Sequence, residues 1–104
     1  MQAATNENFY STRHRKAALR LVEHAKKRKQ QRAISSERID LIVFFGERTY
    51  DGHGGIRCVM TSNALARLEK VLGHTSHMES IRGCYVVLNA EDERTVITVG
   101  HLYV

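Results

Sequence analysis

The chain contains no proline and no tryptophan, and only two of its 104 residues are cysteines. Cys58 and Cys84 lie far apart in the sequence, and neither has a second cysteine at the short spacing of a zinc ribbon. His74 and His77 fit one helical turn, but no third ligand is in register, so no metal site is predicted. We therefore expect two buried thiols that act as small hydrophobic side chains.

Long hydrophobic runs are also missing. No run is longer than Leu41–Phe45, whereas a helix that crosses a bilayer needs about 20 apolar residues. Residues 1–7 contain no basic stretch that leads into an apolar one, so no secretory signal is expected. The sequence thus predicts a cytoplasmic protein without a membrane partner.

The length and composition fit one globular domain. Hydrophobic residues make up 42% of the chain and charged residues 26%, which is ordinary for a folded domain and argues against wholesale disorder. The polar residues 1–12 are predicted to form a flexible N-terminal arm. Residues 13–104 are predicted to form a single domain, because 104 residues leave no room for a second core.

Positive charge is concentrated in one segment. The chain has 16 Lys and Arg against 11 Asp and Glu, and the segment Arg13–Arg32 contains nine basic residues but only one acid, Glu23. A basic element of this kind is typical of a nucleic-acid contact, because neutralising phosphates releases counterions. The alternative is an ordinary solvated helix face. The residues predicted to contact nucleic acid are Arg20, Lys26, Lys27, Lys29 and Arg57.

The basic segment is predicted to be the first helix. Residues 13–31 contain no glycine or proline and are rich in strong helix formers. Leu19, Val22 and Ala25 recur at helical spacing, which predicts one narrow apolar stripe on an otherwise basic helix.

A second helix is predicted after the serine pair Ser35 and Ser36. Either hydroxyl can accept a hydrogen bond from the free amides at a helix start, and Gly46 suits the helix end. On composition alone, Leu41–Phe45 would also suit a buried strand. The side chains predicted to point inward are Ile39, Ile42, Val43 and Phe45.

The rest of the chain alternates between strands and one further helix. The predicted elements are a turn at Asp51–Gly55, a strand over 56–61, a helix over 62–72 that stops at Gly73, a loop or short helical turn over 74–82, and hairpin strands over 84–88 and 95–99. This order predicts an α+β fold: a single two-layer domain with an antiparallel sheet, and with the basic helix and the second helix packed on one face.

His24 is the residue of the basic segment best suited to catalysis. Arg28 and Arg32 follow it at i+4 and i+8, so an imidazole and two guanidiniums fall near one helix face. An imidazole titrates near neutral pH and guanidiniums bind phosphate, which are the groups that metal-free RNA cleavage needs. The alternative is that His24 is an ordinary helix-surface or capping residue.

Several segments resemble a known family. His24–Ala25, the basic stretch through Ser35 and the segment Ile39–Glu47 look like a bacterial domain family of unknown function that is related to the BrnT branch of the RelE-type toxins. Ser62–Leu68 and the two hairpin strands also resemble that family, so the similarity extends over nearly the whole chain, from about residue 14 to residue 103.

The resemblance implies a RelE/BrnT-like fold and a toxin-type, metal-independent endoribonuclease without a cofactor. RNA or the ribosome would be its target, and a small acidic antitoxin its partner. His24, Arg28 and Arg32 match the family's His-Ala and Arg-Gly-Ile elements. His101 and Tyr103 lie at the end of the last strand, where RelE-like folds often place a catalytic side chain. On this basis arginines, including Arg57, would hold phosphate, while His24 or His101 would transfer protons with help from Tyr103.

Two other function classes stay open at this point. The chain would also suit a non-catalytic nucleic-acid-binding or partner-binding protein that uses the basic helix over 13–32. A third class is an interaction module whose basic helix docks an acidic partner chain. An exposed edge strand would allow two copies to pair as a homodimer.

Overall fold

The computed structural model describes residues 19–74 and 76–102 of the chain. The predicted N-terminal arm over 1–12, residues 13–18 of the predicted first helix, and Tyr103 lie outside the described residues.

The described residues form a small α+β domain with three α-helices and a five-stranded mixed sheet. The elements are β1 (Arg20–Leu21), α1 (Glu23–Gln31), α2 (Ser36–Phe45), β2 (Glu47–Tyr50), β3 (Gly55–Val59), α3 (Ser62–Leu72), a 3-10 helix (Ser76–Ile81), β4 (Cys84–Asn89) and β5 (Thr95–His101). The strand order in the sheet is β1-β5-β4-β3-β2. The prediction of an antiparallel sheet is wrong at one edge, because β1 pairs with β5 in parallel while the other pairs are antiparallel.

The first helix begins later than the sequence predicts. The backbone N–H of Arg20 donates to the carbonyl of Arg94 at 2.9 Å, and that of Val22 donates to Val96 at 3.2 Å, so this stretch joins the sheet as an edge strand. Pairing with a distant strand here overrides the local helix propensity of the segment. The predicted helix over 13–32 is therefore wrong at 20–22, and Val22, expected on its apolar stripe, is 39% exposed.

The second helix matches its prediction closely. The Ser35 hydroxyl accepts a hydrogen bond from the backbone N–H of Arg38 at 3.2 Å, and the helix ends at Gly46. Its buried residues are Ile39, Ile42 and Val43, whereas Phe45, expected to point inward, is only half-buried. The capping hydrogen bond gives the Arg38 N–H, one of the free amides of the first helical turn, a partner. The segment therefore starts a helix and not the alternative strand.

A strand that the sequence analysis did not predict, β2, pairs with β3 across the glycine-rich turn. The carboxylate of Asp51 accepts from the backbone N–H groups of His53 at 2.7 Å and Gly55 at 2.9 Å, which fixes the turn. Gly52 and Gly54 adopt φ values of 78° and 85°, a left-handed region that glycine enters without steric cost. The prediction of three strands therefore becomes five.

The third helix, the short helical turn before β4 and the closing hairpin are confirmed. Buried side chains alternate along β4, where Cys84, Val86 and Leu88 are buried while Tyr85 and Val87 are half-buried on the other side. No described helix is long and apolar enough to cross a membrane. The side of the sheet opposite the core is called the outer face below, and it carries Arg57, Tyr85, Val87, Thr98 and Gly100.

Candidate nucleic-acid interface

The basic residues of α1 have different local environments. Lys26 forms an ion pair with Glu23 at 3.2 Å. Arg28 and Lys29 are half-buried in the last turn, where a positive charge interacts favourably with the carbonyl end of the helix. Lys27 is exposed and has no ion-pair partner among the described residues. Contacts within the protein therefore offset part of the positive charge of α1, while the charge of Lys27 remains exposed to solvent.

His24 joins α1 to the outer face. It is exposed in the first turn of the helix, and its Nε2 lies 3.2 Å from the Thr98 hydroxyl on β5. The hydroxyl can donate or accept, depending on which ring nitrogen carries the proton. The exposed imidazole therefore lies where α1 meets the outer face, and a ligand bound to either of them could reach it.

The three residues predicted to lie near one helix face, His24, Arg28 and Arg32, are found along α1 and at its C-cap. Arg28 is one helical turn beyond His24, and its Nε is buried without a hydrogen-bond partner among the described residues. Arg32 is the C-cap, exposed, and its backbone N–H donates to the carbonyl of Arg28 at 2.9 Å. The structure shows no hydrogen bond between any two of these three described side chains. The three residues thus belong to the same helix and its cap, but their side chains do not contact one common group among the described residues.

His101 is placed on a different side of the sheet from His24. Its Nδ1 lies 3.2 Å from the sulfur of Cys84, which is 1% exposed and belongs to the core. Thr98 and His101 are three positions apart on β5, so their side chains point to opposite faces. The two histidines proposed for proton transfer are therefore not brought together. Tyr103, their predicted helper, lies outside the described residues.

The contact between Cys84 and His101 is not that of an activated nucleophile. Burial raises the pKa of the Cys84 thiol, which the charge of Arg38 offsets only in part. The thiol also lies 3.7 Å from the backbone carbonyl of Ser80, where a protonated sulfur can donate. The sulfur is protonated at neutral pH and acts as a core side chain, as the sequence predicts for both cysteines.

Arg57 lies on the outer face, the same side of the sheet as the partner of His24. It is opposite Val87 on β4, and Val87 is opposite Thr98 on β5. Because neighbouring strands are about 4.8 Å apart, the backbones of Arg57 and Thr98 are about 10 Å apart. The guanidinium carbon of Arg57 lies 5.3 Å from the centre of the Tyr85 ring.

Arg20 lies on the edge strand β1 and not on the first helix, where it was predicted. Its guanidinium donates to the Thr95 hydroxyl at 3.3 Å, and that hydroxyl donates to Asp92 at 2.7 Å. Hydrogen bonds from the backbone N–H of Arg94 and from Thr95 lower the pKa of Asp92 to about 2. Arg20 thus belongs to a network that stabilises the hairpin turn, although it remains exposed.

The sequence pattern does not single out two residues of this surface, Thr98 and Tyr85. The alternation of the strand over 84–88 was a signal that Tyr85 and Val87 share a face. The pairing of Tyr85 with Arg57 depends on the register between β3 and β4, which the strand pattern alone does not specify.

The described residues contain no group of three or more histidine, cysteine or acidic side chains that could hold a metal ion. Comparison with protein-family models, with curated proteins and with solved structures finds no match for the chain. The resemblance to RelE/BrnT-type toxins therefore stays a prediction.

Proposed function

We propose that the protein binds RNA in the cytoplasm through a basic surface formed by α1 and the adjoining edge of the outer face. The observation that carries the proposal is the position of Lys27, an exposed cation without an ion-pair partner among the described residues, one helical turn from His24. His24 is itself held against Thr98 on the outer face. This side of α1 and the outer face therefore adjoin each other.

Charge supports a polyanionic ligand. The net charge of the chain is +5, and the helix α1 contains four Lys or Arg residues against one Glu. Arg57 adds a cation on the same face as Thr98. Cations on two adjoining elements can each neutralise a phosphate of one bound strand, which releases counterions and makes binding strongly dependent on salt.

The test is the salt dependence of binding, measured by fluorescence anisotropy with a labelled RNA of about 12 nucleotides between about 50 and 300 mM KCl. Lys27→Gln removes one charge from the proposed surface. We expect it to reduce the slope of log K against log salt by about 0.7 and to weaken binding about fivefold at 0.1 M salt. Lys70→Gln, which removes an exposed charge from α3, is the matched control and leaves both values unchanged.

Two outcomes would contradict the proposal. One is equal weakening by Lys27→Gln and Lys70→Gln, which would indicate non-specific attraction to the whole charge. The other is the absence of binding to RNA and DNA at about 50 mM salt. In the second case an acidic protein partner becomes the best explanation of the basic helix.

A second candidate function is metal-independent RNA cleavage by a RelE/BrnT-like toxin, neutralised by a small acidic antitoxin on the same cationic surface. The exposed imidazole of His24, one turn from the Arg28 guanidinium, favours it. The imidazole would take the proton of a 2′-hydroxyl whose oxygen attacks the adjacent phosphorus, and Arg28 would stabilise the charge on the phosphate. The departing 5′-oxygen would take its proton from solvent water.

Cleavage in EDTA tests this candidate. Because His101 faces Cys84 and the core, we expect His24→Ala to abolish cleavage and His101→Ala to leave it intact. Toxicity on expression in bacteria should be relieved by His24→Ala in the same way. A wild-type protein that binds RNA without cutting it is a binding module, and this second candidate is then wrong for the free protein.

A further inference from the structure

We propose that Arg57 and Tyr85 form a stacking site for an unpaired base, so that the nucleic acid this protein binds is single-stranded. The inference rests on the proposed nucleic-acid binding and adds what kind of strand is bound and where its bases lie.

Strand alternation directs Arg57 to the outer face. Its neighbours on β3, Ile56 and Cys58, are buried in the core, while Arg57 is exposed. Its guanidinium carbon is 5.3 Å from the centre of the Tyr85 ring, within the distance of about 6 Å at which a cation is attracted to an aromatic face. The two side chains thus place two planar groups next to each other on the outer face.

The ring of Tyr85 lies over Gly100 of β5. Tyr85 is opposite Gly100, and a Cβ atom at position 100 would lie 2.9 Å from the phenol oxygen and 3.0 Å from the ring carbon that carries it. Only a residue without a side chain allows the ring to occupy this space. The missing side chain at Gly100 thus leaves room for the Tyr85 ring on the outer face.

The surroundings suit a polyanion whose bases are turned toward the sheet. Val87, half-buried, lies between Arg57 and Thr98 and offers apolar contact. Two carboxylates adjoin this face, and both already accept hydrogen bonds: Asp51 from the backbone N–H groups of His53 and Gly55, and Glu47 on β2 from the Thr61 hydroxyl at 2.8 Å. Charge complementarity thus favours a nucleic-acid strand on this face, with phosphates near α1 and a base over Arg57.

An unpaired base is the form that this site can hold. In a duplex the base faces are covered by their neighbours, whereas splayed bases of single strands stack on aromatic rings and on arginine planes. RNA and DNA single strands share this chemistry, and the experiment separates them.

The test compares labelled single strands of about 12 nucleotides, as RNA and as DNA, with the duplex of the same sequence. We expect Tyr85→Leu to weaken single-strand binding about tenfold and to leave duplex binding and the salt slope unchanged. Tyr85→Phe keeps the ring and should retain affinity within about twofold, and Arg57→Gln should weaken single-strand binding. The preference between RNA and DNA shows whether the ribose 2′-hydroxyl is read.

A second measurement uses the unaltered protein, in case Tyr85→Leu does not fold. Photo-crosslinking with 4-thiouridine RNA, followed by trypsin, should label the peptide over residues 83–94, which contains Tyr85. Labels confined to peptides of α1 would overturn the stacking site. So would equal affinity for single strands and duplex with no effect of Tyr85→Leu, although binding through α1 would then stand. Absence of all nucleic-acid binding would instead contradict the proposed function itself.

Discussion

Tyr85 on β4 covers Gly100 on β5 so closely that a Cβ atom at position 100 would lie within 3.1 Å of three atoms of the tyrosine side chain. The two residues are direct partners in the antiparallel ladder. The glycine is therefore needed for space, because its φ angle is not among the positive values that the other glycines of the turns adopt.

Gly100→Ala should lower the free energy of unfolding by about 1 to 3 kcal/mol, because the added methyl group must displace the tyrosine ring. Urea unfolding of the single variant, of Tyr85→Leu and of the double variant measures the coupling between the two sites. In the Tyr85→Leu background the glycine substitution should cost much less. Equal cost in both backgrounds would show that the ring is not the obstacle.

Much of the fold follows from local signals in the sequence. The helix α2 lies between a serine cap and Gly46, and α3 ends at Gly73, as periodicity and end residues predict. The strands β1 and β2 were not predictable in the same way. They are two and four residues long, and they are strands because of what they pair with: Arg20 with Thr95, and Thr49 with Arg57.

The candidate site likewise has a part that local sequence signals predict and a part that depends on long-range contacts. The exposure of His24 on a basic helix could be predicted from one segment alone, because helical spacing is local. Its hydrogen bond to Thr98 and the contact of Arg57 with Tyr85 join segments that are far apart in the chain. Such contacts depend on strand order and register, which are set by the packing of the whole sheet.

Asp92 should make stability depend on pH in the acid range. Hydrogen bonds from the backbone N–H of Arg94 and from Thr95 lower the pKa of this carboxyl in the folded protein from its usual 3.8 to about 2. A pKa lowered by folding gives stability that is present above the unfolded value and lost as pH falls toward the folded value.

The urea midpoint of the protein should therefore exceed that of Asp92→Asn at about pH 6, and the difference should shrink between about pH 4 and pH 2. Glu91→Gln, which changes an exposed carboxylate of the same connection, serves as the control. A constant difference across this range would mean that the charge of Asp92 does not strengthen the turn.

Ala33 terminates α1 in a conformation that suits glycine better. Its φ is 54°, its backbone N–H donates to Gln30, and the next residue, Ile34, donates to Lys29, which is the hydrogen-bond pattern of a Schellman motif. A left-handed conformation costs a residue with a Cβ roughly 1 to 2 kcal/mol, and glycine loses about 0.4 to 1 kcal/mol through the greater freedom of the unfolded chain.

The strain relieved in the left-handed conformation is larger than the entropy cost of glycine, so Ala33→Gly should stabilise the protein by roughly 0.5 to 1 kcal/mol. Ala66→Gly, the same change at an exposed position inside α3, should destabilise it by about 1 kcal/mol. Thermal or urea unfolding of the two variants decides the matter, since the prediction is a difference in sign between identical substitutions.

Cys84 should react slowly and only at high pH, in spite of the imidazole of His101 at 3.2 Å from its sulfur. Burial raises the pKa of the thiol because the thiolate would lie in the core without water. If the imidazole instead held the thiolate as an ion pair, the sulfur would be reactive near neutral pH. Iodoacetamide labelling of the Cys58→Ala variant across pH distinguishes the two. We expect a midpoint above the usual value for a thiol and no change at neutral pH in His101→Gln, because a protonated sulfur in the core has no charge for the imidazole to stabilise.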